Sequence, residues 1–241
     1  MPNFLNNEQV KEFYNSKESI WPKDDKWHHY TKTSIEKYII QKKFVFDKYI
    51  NPEILNAGSG GNSYGLGYEM HHVDIIDKYI YQFPKYTVAS VENMPFEKES
   101  FDVEICVGSV INYCDAVGCI SELSRVLKSK GYLFLEFESS WSIDFFKTDA
   151  YKSAASIIKT KYFDEEHLLW VYSLNYILSI LKNYNLELIN IRRFHILSNF
   201  AYKLLKTENK ASVFAKLDNV ARKVPYISDR SHNIILLCQK I

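Results

Sequence analysis

Glu53-Ile-Leu-Asn-Ala-Gly-Ser-Gly-Gly-Asn-Ser-Tyr-Gly65 joins a short apolar run to a glycine-rich turn. A strand that ends this way brings backbone against a nucleotide-like ligand. Gly58 and Gly60 carry no Cβ, so the chain can turn sharply after Ile54-Leu55 and leave its amides open. The next apolar run, Glu69 to Ile75, places Asp74 eighteen positions after Asn56, where a carboxylate is suited to accept both hydroxyls of a ribose. The dinucleotide pattern G-x-G-x-x-G requires glycine at position 63, where Ser63 stands. Close approach of a pyrophosphate to a helix start is therefore disfavoured, which counts against a nicotinamide-dependent oxidoreductase.

Outward from that stretch, strand-like runs recur at 53–57, 69–75, 86–90, 102–107 and 132–138, at separations suited to crossovers. They predict a parallel sheet with helices on both faces and a ligand beyond the carboxyl ends of the strands. Residues 7–20 and 31–49 carry helical periodicity, with Ile35, Tyr38, Ile39, Phe44 and Phe46 as an apolar stripe. Asp115–Ser129 reads as a helix, with Lys128 and Lys130 suiting its negative end. An irregular stretch over 139–164 leads into an expected helix over 165–183. The runs 186–194 and 233–239 read as strands around a helical insertion at about 197–224. The organisation expected is one domain over 1–241: a helical cap (1–49), a ligand-binding core (50–140) and a carboxyl-terminal half (141–241).

Four motifs in order carry a family resemblance: Asn56-Ala57-Gly58-Ser59-Gly60, Ser90-Val91-Glu92-Asn93-Met94-Pro95-Phe96, Ser100-Phe101-Asp102-Val103-Glu104 and Arg125-Val126-Leu127-Lys128-Ser129-Lys130-Gly131. Together they resemble the class I S-adenosylmethionine (SAM)-dependent methyltransferases over roughly residues 50 to 140. The resemblance implies a Rossmann-like α/β fold with a mostly parallel seven-stranded sheet and an antiparallel last strand. It implies SAM as cofactor, held by Asn56, Ala57, Gly58, Ser59, Gly60, Asp74, Ile75, Val91, Glu92 and Gly108. Asn56 and Ser90 stand where the family often has acids, and the helical segments between the early strands look short.

Composition bounds the rest. With 241 residues, 46% hydrophobic and 24% charged, the chain supports one substantial core. A formal charge of +1 supplies no field to draw in a polyanion, so DNA and RNA are not expected partners. Cys106, Cys114, Cys119 and Cys238 form no C-x-x-C pair and read as reduced core thiols. No signal-peptide pattern or membrane-length apolar run is present, and a cytoplasmic location is expected. No histidine–acid group has zinc-site spacing, so no metal is expected.

Methyl transfer is an in-line displacement in which the protein positions the acceptor and, for an O–H or N–H nucleophile, can remove its proton. Asn112 and Tyr113, after the fourth strand, are the candidate acceptor contacts. His28 and His29, in an aromatic loop over 21–31, are candidate bases, as is Glu138 if burial raises its pKa. His71, His72, His195 and His232 read as structural. The loop over 21–31 is expected either to fold over the cofactor or simply to pack on the sheet. In the insertion, Lys203, Lys206, Lys210, Lys216, Arg222 and Lys223 sit among Phe200, Tyr202, Leu204, Leu205 and Phe214. That mixture fits a solvated helix face, an anionic substrate or a membrane surface. The function expected is methylation of an O or N acceptor on a small molecule or a sugar- or lipid-linked intermediate. The alternative is a SAM-binding partner or regulatory module without transfer activity. Oligomeric state is not legible in the sequence.

Overall fold

The structure is a computed structural model that describes residues 7–17, 19–21, 24–162 and 165–241. Seven strands form one sheet: β1 (Ile54–Ala57), β2 (His71–Asp74), β3 (Tyr86–Val88), β4 (Phe101–Cys106), β5 (Leu127–Glu138), β8 (Leu186–Phe194) and β9 (Asn233–Lys240). Their spatial order is β3-β2-β1-β4-β5-β9-β8. The first five run parallel, and β9 lies antiparallel between β5 and β8. The switch point falls between β1 and β4, and both strands end at one edge of the sheet, where ligands bind in open α/β folds.

Alternate side chains of the central strands serve two separate cores. Leu55, Leu133 and Leu135 meet α4 (Ala116–Val126) and α5 (Leu174–Asn183) through Ile120, Leu123, Ile177 and Leu181. Ile54, Ile105 and Phe134 meet α2 (Lys26–Gln41) through Ile35, Tyr38 and Ile39, with Val45 and Phe46 following it. The strands are apolar on both faces because helices cover both.

Several expected boundaries move, each for a local reason. The helix expected from 31 starts at Lys26, because the Asp25 carboxylate caps it by accepting from the amides of Trp27 and His28. His28 to Thr31 are therefore helical rather than part of a loop. The helix expected over 115–129 stops at Val126, and Leu127 already belongs to the long strand β5. Lys128 pairs with Asp102 across that strand at 2.9 Å instead of serving a helix end.

The helix expected over 165–183 is half strand. Leu169 and Val171 are buried while Leu168 is exposed, the period of two that a strand shows. β7 (Glu165–Tyr172) pairs antiparallel with β6 (Ala155–Tyr162), inside the stretch expected to be irregular. Ser173 then caps α5 by accepting from the Tyr176 amide. The early crossovers are sparser than in the expected fold. No helix lies between β1 and β2, and α3 (Asp77–Ile80) is a single turn.

α1 (Asn7–Asn15) and α2 form the amino-terminal cap, and α6 (Leu197–Leu205), α7 (Glu208–Ala211), α8 (Asp218–Ala221) and α9 (Pro225–Ser228) make up the insertion. The first six residues of the expected cap lie outside the described residues. Among the described residues no helix is long and apolar enough to cross a membrane.

Glu104 on β4 is fully buried, and neither of its carboxylate oxygens has a hydrogen-bond partner. Burial lifts its carboxyl well above the usual range, so the folded protein holds it protonated. As pH rises past the ordinary carboxylate value, the unfolded chain ionises and the folded one does not, so stability falls. Glu104→Met is expected to stabilise the protein by about 1–3 kcal/mol near neutral pH. Urea titrations should show that gain shrinking as the pH drops toward 4.

Candidate functional site

Two clefts meet above the carboxyl ends of β1, β4 and β5. The first, of about 890 Å³, is walled by the turns after β1, β2 and β4. Gly58 holds a φ of +67°, and a Cβ there would come within 2.3 Å of Val110, so glycine is required on both backbone and steric grounds. The Gly60 amide donates to Asp74 Oδ2 at 2.8 Å and the Ile76 amide to Oδ1 at 2.9 Å. These bonds draw the turns after β1 and β2 together around one carboxylate. Burial raises the Asp74 carboxyl above its usual value, and the amides of Gly60, Ile76 and Ile75 oppose that shift.

Of the ten cofactor positions expected, Gly58, Ser59, Gly60, Asp74, Ile75, Val91 and Gly108 line this cleft. Asn56 and Ala57 do not reach it and are fully buried. Asn56 braces the loop from behind: its Nδ2 donates to the Asn62 carbonyl at 2.6 Å, and its Oδ1 accepts from the Tyr64 hydroxyl at 3.2 Å. Glu92 also turns away and accepts from the Asp115 amide at 2.9 Å, next to the start of α4. The cleft is roofed by Val10, Tyr14, Ile20 and Trp21 from the cap.

The second cleft, of about 900 Å³, lies beyond a wall of Tyr14, Ile20, Trp21, Gly108 and Tyr113 that both clefts share. Glu138, at the end of β5, accepts from Ser109 Oγ at 3.1 Å and lies 3.4 Å from His232 Nε2. Burial pushes the Glu138 carboxyl up, but the His232 charge and hydrogen bond outweigh it and hold the group below the usual carboxylate range. Burial pushes His232 down, and Glu138 outweighs that in turn, so the imidazole sits above its usual value. The two form a buried histidine–carboxylate pair in which each favours the charged form of the other. Glu138 is thus an ionised carboxylate, not the raised-pKa acid expected from burial alone.

Other expected site residues separate. Tyr113 lines both clefts, with its hydroxyl 2.9 Å from that of Tyr14 and 3.0 Å from His167 Nε2. Asn112 is fully buried and spent on the fold. Its Nδ2 donates to the Trp170 carbonyl at 2.7 Å, and its Oδ1 accepts from the Glu138 amide at 3.0 Å. It positions Glu138 and does not face an acceptor.

His28 lines the second cleft with its Nδ1 against the Asp25 carboxylate, whereas His29, one position on, is exposed and lines no cleft. His195 is structural, stacked on Trp27 and bonded to Thr31 and Ser198. The fold also gathers Asp25, His28 and Glu208 within 4.8 Å of one another, a group that linear spacing conceals.

The Methyltransferase domain family matches residues 55–135, which hold the glycine turn, Asp74 and most of β5. Over that stretch the chain is similar to methyltransferase domains. The ubiquinone/menaquinone biosynthesis C-methyltransferase UbiE of Rickettsia massiliae is 35% identical over 86 residues, 34% of this chain and 35% of that protein. The chain thus matches about a third of the length of that curated relative.

Among solved structures, a Listeria monocytogenes protein assigned as a SAM-dependent methyltransferase superposes with a TM-score of 0.62 at 10% identity, covering 87% of this chain and 99% of that one. The geranyl diphosphate C-methyltransferase of Streptomyces coelicolor A3(2), solved with Mg2+, geranyl diphosphate and S-adenosyl-L-homocysteine, gives 0.57 at 12% identity over 98% of each chain. At these identities the structures show the fold alone.

The residues of the first cleft fit SAM as a ligand. A buried carboxylate at the end of β2 suits ribose hydroxyls, and open glycine backbone allows close approach. Apolar Ile75, Ile76, Val91 and Ala89 suit an adenine face. Two residues near the meeting of the clefts are not expected there from the sequence. The sequence predicts a structural His232, and Glu136 carries no signal beyond an acid inside an apolar strand. Glu136 Oε2 accepts from the amides of Gly108 at 2.9 Å and Ser109 at 2.7 Å, fixing the turn where the clefts meet. Burial lifts its carboxyl to about 7.

Proposed function

We propose that this protein transfers the SAM methyl group to an oxygen or nitrogen of a small polar molecule held in the second cleft. The observation that carries the reading is the Glu138–His232 pair on the acceptor side of the shared wall of Tyr14, Trp21 and Tyr113. When bound, the cofactor supplies a methyl group activated by its sulfonium centre.

The chain does the remaining work. Asp74 and the Gly58–Gly60 turn hold the cofactor's ribose end, while Trp21 and Tyr14 close the cleft and exclude water. Glu138 accepts the hydrogen of the attacking O–H or N–H, aligns the nucleophile and takes its proton as the new bond forms. His232 shares the carboxylate charge before the step and keeps the base anionic. Glu136 and Asn112 support this geometry from behind, through the Gly108–Ser109 turn and the Glu138 backbone. The acceptor side also carries Asp144, Glu208, Asn199 and Asn233, a polar lining that favours a hydroxylated or amino compound over a purely apolar one. Four buried free thiols fit a reducing compartment such as the cytoplasm.

The test is transfer of label from methyl-labelled SAM into a panel of sugars, amines, phenols and quinols, with NMR locating the methyl group in any product. An O- or N-methyl product is expected. A C-methyl product, the kind of transfer named for the Rickettsia relative, overturns the acceptor class. Tight SAM binding with no labelled product across the panel favours a binding module instead.

A further inference from the structure

The insertion of α6 to α9 departs from the usual pattern of a surface helix by leaving large apolar side chains in solvent. Such a helix turns apolar residues inward and polar ones to water. Over residues 204–226 only the small Ala211, Ala215 and Ala221 turn inward as apolar groups, and the large apolar side chains stay outside. Leu204 is 84% exposed, Tyr226 73% and Val220 67%, and Leu205, Val213, Phe214, Leu217 and Val224 are exposed as well. Inward, the same segment and the turn leading into it bury polar groups. Asp218 is fully buried and accepts from the amides of Ile196 and Leu197 and from the Tyr30 hydroxyl. Asn199 is fully buried and Ser212 nearly so. The helices α6, α7 and α8 pack on one another directly or through the 212–217 turn, so most of these exposed apolar side chains belong to one packed unit.

Charge follows the same division. Lys206, Lys210, Lys216 and Lys223 are all exposed. The acids of the segment are Glu208 and Asp218. Glu208 lines the second cleft and Asp218 is buried, so the outer face is cationic although the whole chain is almost neutral. Exposed leucine, valine, phenylalanine and tyrosine among lysines is the composition of a surface that lies in the headgroup layer of a bilayer. A second copy of the chain is a poorer occupant, because a symmetric contact would set one lysine rim against another.

We infer that residues 204–226 dock this protein on anionic phospholipid membranes, with Leu204, Val220 and their apolar neighbours entering the interface and the lysines contacting lipid phosphates. The surface is independent of methyl transfer and does not require the acceptor reading to hold. Its place beside the outer end of the acceptor cleft, where Tyr202 and Glu208 line both the cleft and the opening beyond it, would bring a membrane-borne acceptor to the site.

The experiment is flotation of the full chain with vesicles of equal parts phosphatidylglycerol and phosphatidylcholine, against phosphatidylcholine alone. Binding to the anionic vesicles is expected to be at least about tenfold stronger and to weaken as salt is raised. The double substitution L204E/V220E, at two exposed positions, is expected to lower it by about tenfold or more, and K216E/K223E to lower it with loss of the salt dependence. SAM affinity and circular dichroism should be unchanged in both variants, which separates lost docking from lost fold. Equal binding to both vesicle types, no binding to either, or unaltered binding by L204E/V220E would overturn the inference. Concentration-dependent self-association that L204E/V220E abolishes, without lipid binding, would assign the face to a second copy of the chain and overturn it equally.

Discussion

Glu138→Gln is expected to lower transfer at saturating acceptor by about 10²–10⁴-fold, with cofactor affinity nearly unchanged. Glutamine keeps the shape and still accepts from Ser109, but it cannot take a proton. Glu138 lines the acceptor cleft and not the cofactor cleft, so the loss should appear in kcat rather than in SAM binding. His232→Asn tests the other half of the pair. Without the imidazolium, burial acts on the carboxyl unopposed and raises it. The acid limb of the rate profile should therefore move toward neutral pH in H232N, whereas in the wild type it lies below the usual carboxylate range.

A stability measurement reads the same pair. Glu138 is depressed in the fold, so its contribution is present above the unfolded carboxylate value and is lost as pH falls through the folded one. His232 is raised, so its contribution is present below the unfolded histidine value and is lost as pH rises through the folded one. The pair is at full strength between those limits, and there E138Q should cost most in denaturant titrations. A kcat within a fewfold of wild type for E138Q would leave positioning alone as the account of catalysis.

The parts of this fold legible in the sequence were those governed by one local rule. The mostly parallel sheet with its antiparallel last strand is as the resemblance implies, and Gly58 and Asp74 stand at the turn and the strand end that local chemistry predicts. The hairpin of β6 and β7 was lost because Leu168, Leu169, Val171 and Tyr172 satisfy helical spacing nearly as well as alternation, and only burial tells the two apart. The site residues that sequence reasoning missed depend on contacts between distant positions. Glu138 meets His232 ninety-four residues away in the chain, on the neighbouring antiparallel strand side, so neither carries its role in its own neighbourhood. Asn112 looked like an acceptor contact because it follows β4. The carbonyl of Trp170 consumes it, and that residue lies on β7, where the sequence predicts a helix.

Asp74→Ala is expected to weaken SAM binding by about ten- to a hundredfold, the range for removing a charged hydrogen-bond partner at about 1.5–3 kcal/mol. The carboxylate already accepts from Gly60 and Ile76, yet each oxygen keeps a second lone pair for a hydroxyl. Alanine therefore removes a ligand contact and also frees two amides that hold the turns in register. Asp74→Asn divides the two effects: its one carbonyl oxygen preserves part of the acceptor capacity without the charge, so its loss of affinity should be the smaller. Because burial raises the Asp74 carboxyl, wild-type affinity should decline at a higher pH than for an ordinary exposed aspartate, and the alanine variant should lack that dependence. Calorimetry of both variants, with unfolding temperatures taken in the absence of SAM, separates contact from scaffold. Unchanged affinity in D74A would remove Asp74 from the ribose role, whatever the variant does to stability.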